Sequence, residues 1–167
     1  DEQGGLTMFD VASKARSVKR KHGLSLMVVD YLQLMSGDGD TRNSQIEQIT
    51  RGMKSLAKEL QIPIVLLSQL SRKCEERTNR RPIPSDLRES GAIEQDADVI
   101  LMVYRDEVYS PDSPDKGTAE LIVAKNRQGA IGTVRLAYSD DQTRFEQLAH
   151  GWQPAEVDRP MKKGRGF

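Results

Sequence analysis

The sequence predicts an α/β protein: a parallel sheet flanked by helices and continued by an antiparallel C-terminal extension. Two observations predict this. Helical stripes with apolar residues three and four apart alternate with short continuous apolar runs, "LMVV" (26–29), "PIVLLS" (63–68) and "VILMVY" (99–104), which suit strands covered on both faces. After Tyr104 the chain changes to short strands joined by Gly-, Asp- and Ser-containing turns, as an antiparallel extension requires.

In chain order, Thr7 and Asp10 form a T-x-x-D capping box that starts a helix, with Met8, Val11, Ala12, Ala15 and Val18 on one face. Lys19, Arg20, Lys21 and His22 suit the negative end of that helix, and Gly23 is placed to stop it in the left-handed conformation. A strand from Leu24 to Asp30 follows. Ser44 and Glu47 read as an S-x-x-E box opening a second helix, whose stripe is Ile46, Ile49, Met53, Leu56 and Leu60. Pro63–Ser68 and Val99–Tyr104 are the next strands. "DEVYSPDSPDKG" (106–117) reads as a surface loop, and "AELIVAK" (119–125), "TVRLAY" (133–138) and "TRFEQL" (143–148) as the antiparallel strands. One domain is expected over residues 1–150. Residues 151–167, rich in Pro, Gly and basic residues, read as a flexible tail.

Composition narrows the function. A length of 167 residues with 37% hydrophobic content supports one domain with a real core. Equal numbers of basic and acidic residues, 25 each, mean that any attraction to nucleic acid must come from local clusters. The single cysteine, Cys74, excludes an internal disulfide and fits a reducing, cytoplasmic setting. No apolar run reaches the roughly 20 residues needed to span a bilayer. His22 and His150 have no partner at metal-binding spacing.

Ligands of open α/β sheets gather at the carboxyl ends of strands, so polar residues there are the candidates. Asp30 ends the first strand and can hold the Mg²⁺ of a nucleoside triphosphate through coordinated water. Taken alone, a polar strand terminus reads the same. Gln69, after the second strand, can donate to a γ-phosphate or hold the attacking water, or it can simply satisfy chain-end polar groups. "RKCEERTNRR" (72–81) and "SDLRESG" (85–91) form a charged stretch that can follow a phosphate backbone, with Arg88 as phosphate ligand and Gly91 admitting close backbone approach; solvated loops have the same composition. Lys125 and Arg127 stand at a hairpin tip, "KNRQGAIG", from which cations can stabilise phosphoryl-transfer charge on a neighbouring subunit or remain solvated.

Together these pieces resemble one family, the C-terminal motor domain of DnaB-type replicative DNA helicases, which has a RecA-like P-loop NTPase fold. The likeness is carried by "VVDYLQLM" (28–35), "LAKELQIPIVLLSQLSR" (56–72), "RPIPSDLRESGAIEQDADVILMVYRDEVY" (81–109) and "AKNRQGAIGTVRLAY" (124–138), and extends from about Gly5 to Phe145. It implies that Asp30 is the Walker B aspartate near Mg²⁺ and that Gln69 links the γ-phosphate of ATP to the DNA loops. Arg88, Glu89 and Gly91 match the loop that contacts single-stranded DNA, and Lys125 and Arg127 match the pair that acts in trans. That assignment implies a homo-hexamer moving 5′ to 3′, with primase and a helicase loader as partners of the parent protein.

One motif is absent from the sequence: G-x-x-x-x-G-K-[ST], whose backbone N–H groups and lysine hold phosphates. In the family that motif and the water-activating glutamate precede the residues matched here. The resemblance therefore implies a portion of a motor domain, inactive as an ATPase in isolation. The alternatives are a catalytically inactive single-stranded DNA-binding or assembly fragment, and a recombinase-type RecA-like ATPase, which gives no reason for "DLRESGAIEQDAD".

Overall fold

The computed structural model describes residues 5–87, 90–149 and 151. The predicted tail, apart from Gly151, lies outside the described residues, as do His150, Arg88 and Glu89.

The first helix, α1 (Met8–His22), begins where the capping box places it. Thr7 Oγ1 accepts from the Asp10 N–H at 3.2 Å, and Asp10 Oδ2 accepts from the Thr7 N–H at 3.0 Å. The Thr7 hydroxyl and N–H together hold the Asp10 carboxyl below its ordinary pKa. Gly23 ends the helix with its N–H on the Lys19 carbonyl at 3.1 Å. Its backbone (φ 76°, ψ 157°) is not the left-handed helical pair predicted, but it lies in positive-φ space that glycine alone enters cheaply.

The second helix, α2, covers Arg42–Leu60 and so starts earlier than the S-x-x-E reading placed it. Thr41 is the cap: its hydroxyl accepts from the Ser44 N–H, and Ser44 Oγ accepts from the Thr41 N–H, both at 3.2 Å. A hydroxyl thus does the returning work that the sequence reading gave to Glu47, which is left to pair with Arg51 one turn on. The predicted stripe is buried, and Ile46 and Ile49 are fully enclosed, each worth about 1.5–3 kcal/mol of burial. Gly52 brings α1 close, since a Cβ there would meet Met8 Cγ at 2.9 Å. Arg16 then forks onto both Glu59 oxygens at 2.7 Å, tying α1 to α2.

The first two strands are shorter than predicted: β1 is Met27–Val29 and β2 is Ile64–Leu66. They pair in parallel, with Val28 opposite Val65. The short helix α3 (Ser90–Asp96) begins within the end of the charged "SDLRESG" stretch, where a loop and no helix was expected. It is held to α2 by Thr50 Oγ1, which donates to Asp96 Oδ2 at 2.6 Å. The third strand, β3, occupies Val99–Tyr104 as predicted. It edges a second sheet, in the order β3-β4-β5-β6, with β4 at Thr118–Asn126, β5 at Gly132–Ser139 and β6 at Arg144–Glu146. The described strands thus form two sheets rather than one continuous sheet. Along β3 exposed and buried residues alternate, so the expectation of cover on both faces is not met.

The chain divides into two compact units, one from Asp1–Met102 with Val123–Gly132, the other from Val103–Ile122 with Thr133–Phe167. In the second, Tyr104 and Tyr109 stack at 5.8 Å, and the Arg105 guanidinium lies 3.9 Å over the Tyr138 ring. Arg105 also reaches Glu107 at 2.7 Å and Asp140 at 2.5 Å. The Gly117 N–H and Arg105 together lower the Glu107 pKa, so the 106–117 loop is organised around a charged carboxylate.

Candidate nucleotide and nucleic-acid site

Parallel pairing puts the carboxyl ends of β1 and β2 at one sheet edge, and both predicted strand-end residues are there. Asp30 follows β1 directly, and Gln69 follows β2 after two intervening residues; both are exposed. Hydrogen bonds continue past the strands, from the Leu67 N–H to the Val29 carbonyl at 2.9 Å and from the Leu32 N–H to the Leu67 carbonyl at 2.8 Å. The peptide bond between Asp30 and Tyr31 is cis.

Gln33, which sequence reasoning passed over, bridges the two ends. Its Nε2 donates to Ser68 Oγ at 3.0 Å while its Oε1 accepts from the Gln69 N–H at 3.2 Å. Arg42, in the first turn of α2, donates to the Gln33 carbonyl at 2.9 Å and to the Met35 carbonyl at 3.1 Å. The Asp30 and Gln69 segments therefore share one amide, itself anchored to the start of α2. An amide inside "YLQLM" gives no sequence signal, because its partners are fixed only once β1 and β2 are paired.

Beyond Gln69 the chain makes a closed excursion. Leu70 bridges Leu87 in antiparallel fashion, and the Ser71 N–H donates to the Asp86 carbonyl at 2.7 Å. Within it, the buried Asp86 carboxylate accepts from Arg77 Nη2 at 2.5 Å and from the Ile83 N–H at 2.9 Å. Arg77 also reaches the Arg81 carbonyl, and Arg80 the Glu75 carbonyl, both at 3.0 Å. Some cations of this basic loop are therefore spent on its own shape, whereas Arg72 and Lys73 are exposed. Arg88 and Glu89 come directly after the neck. Gly91 sits in the first turn of α3 rather than in a loop, with nothing within 4 Å of where its Cβ would be.

Lys125 is the last residue but one of β4 rather than standing on a free tip, and Arg127 is the first residue after that strand. Lys125 Nζ donates to the Glu94 carbonyl, and Arg127 Nη2 to the Gln95 carbonyl at 3.0 Å. Cations on the last carbonyls of α3 offset its negative end. Asp98 lies 3.4 Å from Arg127 Nη1 and also takes a hydrogen bond from Lys54. The Lys54 bond lowers the Asp98 pKa most, with the charges of Arg127 and Lys125 adding to it.

Among the described residues no group of three His, Cys, Asp or Glu side chains could enclose a metal ion. Asp30 alone fits Mg²⁺ held mostly through its waters, while the phosphate-cradling motif is not in the sequence. The residues present thus fit one side of a Mg²⁺–nucleotide site. No helix of the described residues is long and apolar enough to cross a membrane.

Residues 1–147 match the family model of the DnaB-like helicase C terminal domain. The replicative DNA helicase DnaB of Pasteurella multocida is 54% identical over 152 residues, covering 89% of this chain and 32% of that protein. The Geobacillus stearothermophilus DnaB is 42% identical over 160 residues, covering 94% and 35%. This chain therefore spans about a third of the length of the curated relatives it matches. Among solved structures, an ATPase domain superposes with a TM-score of 0.83 at 44% identity, over 87% of this chain and 52% of that one. "The Structure Of A DnaB-Like Replicative Helicase And Its Interactions With Primase" gives 0.85 at 43%, over 89% and 36%. On this match the chain belongs to the DnaB-like helicase C-terminal domain family and has the fold of its ATPase domains.

Proposed function

We propose that this chain is part of the ATPase motor of a hexameric replicative DNA helicase that moves 5′ to 3′ on single-stranded DNA and unwinds duplex at the fork. The observation that carries the reading is the neck at Leu70 and Leu87, which ties the segment bearing Gln69 to the residue before Arg88. A nucleotide-dependent movement of Gln69 has a direct backbone route to the DNA-contacting segment.

In this reading Asp30 would hold Mg²⁺ through the ion's own waters, and Gln69 would donate to the γ-phosphate or hold the attacking water. Magnesium bound with ATP offsets charge on the phosphates. Gln33 is the positioning residue, holding the Gln69 N–H and Ser68 hydroxyl on one amide. Arg88, with Glu89 and the N–H of Gly91, contacts sugar and phosphate rather than base edges, which makes translocation tolerant of sequence. Lys125 and Arg127 serve the neighbouring subunit's ATP, releasing the α3 carbonyls to do so. Because α3 begins at the DNA-contacting segment, that exchange links the neighbour's nucleotide to DNA. The name of one structural relative, a helicase with its primase interactions, supports primase as a partner of the parent protein; a loader and a cytoplasmic location belong to the same reading.

The test is a chimera in which residues 1–147 replace the matching segment of the Pasteurella multocida helicase. Retained hexamer formation and DNA-stimulated ATP hydrolysis are expected. Arg88→Ala in that chimera should weaken single-stranded DNA binding about equally across sequences and flatten its salt dependence. A folded hexameric chimera without hydrolysis would sink the motor reading.

The missing phosphate motif favours a second reading for the isolated 167 residues, an inactive DNA-binding or assembly module. DNA-stimulated turnover by a pure sample would contradict it.

A further inference from the structure

Lys125 and Arg127 hold the end of α3, and α2 holds it as well. Thr50 and Lys54 lie one turn apart on one face of α2, and each takes one of the two acids there. The Thr50 hydroxyl donates to Asp96 Oδ2 at 2.6 Å, and Lys54 Nζ donates to Asp98 Oδ2. Thr50 is buried and the Lys54 side chain is 24% exposed, so both contacts come from a packed helix surface. Asp98 is shared, because Arg127 Nη1 also approaches it, 3.4 Å from Oδ1. That distance lies beyond the roughly 2.7–3.2 Å of an N–H···O hydrogen bond, and the Arg127 side chain is 50% exposed. Two cations on one carboxylate repel each other, so Lys54 weakens the hold of Asp98 on Arg127. The larger share of Lys54 in lowering the Asp98 pKa agrees with this ranking.

We propose that Lys54 is a positioning residue for Arg127, occupying Asp98 from α2 so that the Arg127 guanidinium can leave for the nucleotide of a neighbouring subunit. This role rests on the reading that Arg127 acts in trans. When Arg127 departs, Asp98 keeps its Lys54 partner and its 56% exposure to water, so no bare charge is left at the negative end of α3. Without Lys54, Arg127 is the cation paired with Asp98. Its departure then leaves that carboxylate beside the last carbonyls of α3, where negative charge is unfavourable. The equilibrium shifts toward the docked guanidinium. Lys54 thus acts through Arg127, by setting the fraction of it that is free to leave.

The test uses the hexameric chimera in which residues 1–147 replace the matching segment of the Pasteurella multocida helicase. Lys54→Met should lower DNA-stimulated ATP hydrolysis about twofold to fivefold, the shift that an exposed ion pair can impose on an equilibrium, with nucleotide binding unchanged. Lys54→Arg, which keeps a cation on Asp98, should retain hydrolysis. Combining Lys54→Met with Asp98→Asn should restore it, because no carboxylate remains to hold Arg127. A contact that served only the fold predicts the opposite, since the second substitution removes a further partner. In the 167-residue chain alone, NMR relaxation at Arg127 Nε should report a more ordered guanidinium in Lys54→Met and a return to the original value in the double variant. If hydrolysis survives Arg127→Ala, the reading of action in trans fails, and the relaxation measurement settles by itself whether Lys54 governs Arg127. Unchanged hydrolysis in Lys54→Met, a loss that Asp98→Asn deepens, or no gain in order at Arg127 would overturn the proposal.

Discussion

Two basic clusters on β4, β5 and the turn between them are built in opposite ways. Arg135 on β5 lies between Asp115 at 2.5 Å and Glu120 at 2.9 Å, carboxylates whose side chains are each 8% exposed. Arg127 has a side chain that is 50% exposed, and it and Lys125 hold mostly backbone carbonyls of α3. Removing a member of the first cluster strands buried charge. Removing a member of the second returns carbonyls to water, which rehydrates them at little cost. The contrast separates a cation fixed by its surroundings from cations that can change partner, and only the second kind suits action on a neighbouring subunit.

The largest effect should follow Arg135→Met. It leaves Asp115 and Glu120 buried without their cation, a loss of about 3–5 kcal/mol in chemical denaturation. Combining it with Asp115→Asn and Glu120→Gln should recover most of that loss, because no buried charge remains unpaired. If the single substitution costs no more than a surface change, the two clusters do not differ as argued.

Next comes Arg127→Ala, with a stability loss below about 1 kcal/mol, in line with exposed ion pairs and helix-end contacts. In the chimeric hexamer the same substitution should abolish ATP hydrolysis with little loss of nucleotide binding. Mixing it with a phosphate-motif mutant should restore activity if Arg127 acts in trans. A stability loss as large as that of Arg135→Met would instead make Arg127 structural and collapse the comparison.

Which cluster was which could not be read in the sequence. Glu120 within "AELIVAK" and Arg135 within "TVRLAY" look like ordinary strand charges, since burial depends on what packs over them. The capping pattern of α1 and the stripe of α2 were legible because their determinants lie within a few residues of each other. The start of α2 was misplaced where two overlapping cap patterns, Thr41–Ser44 and Ser44–Glu47, competed. α3 was hidden by turn-forming residues around it. The continuous runs read as doubly covered strands because hydrophobicity records what a face needs, not what packs over it among the described residues. In the candidate site, Asp30 and Gln69 stood out as polar residues at strand ends, whereas Gln33 and Arg42 acquire roles only through pairing that sequence spacing does not encode.

The smallest effect concerns Asp98, where the second cluster meets α2. Its pKa is lowered chiefly by the hydrogen bond from Lys54, then by Arg127 and Lys125. A carboxylate with a depressed folded pKa contributes stability that is present above its unfolded value, near 3.8, and lost as pH falls through the folded value below it. With its side chain 56% exposed, Asp98 is screened by water and salt, so the acid-side loss should be slight and smaller still at high ionic strength. Titration of the Asp98 carboxyl by NMR should show a larger upward shift in Lys54→Met than in Arg127→Ala. The reverse order would mean that Arg127 is Asp98's principal partner, making it less ready to leave for a neighbouring subunit than its exposure implies.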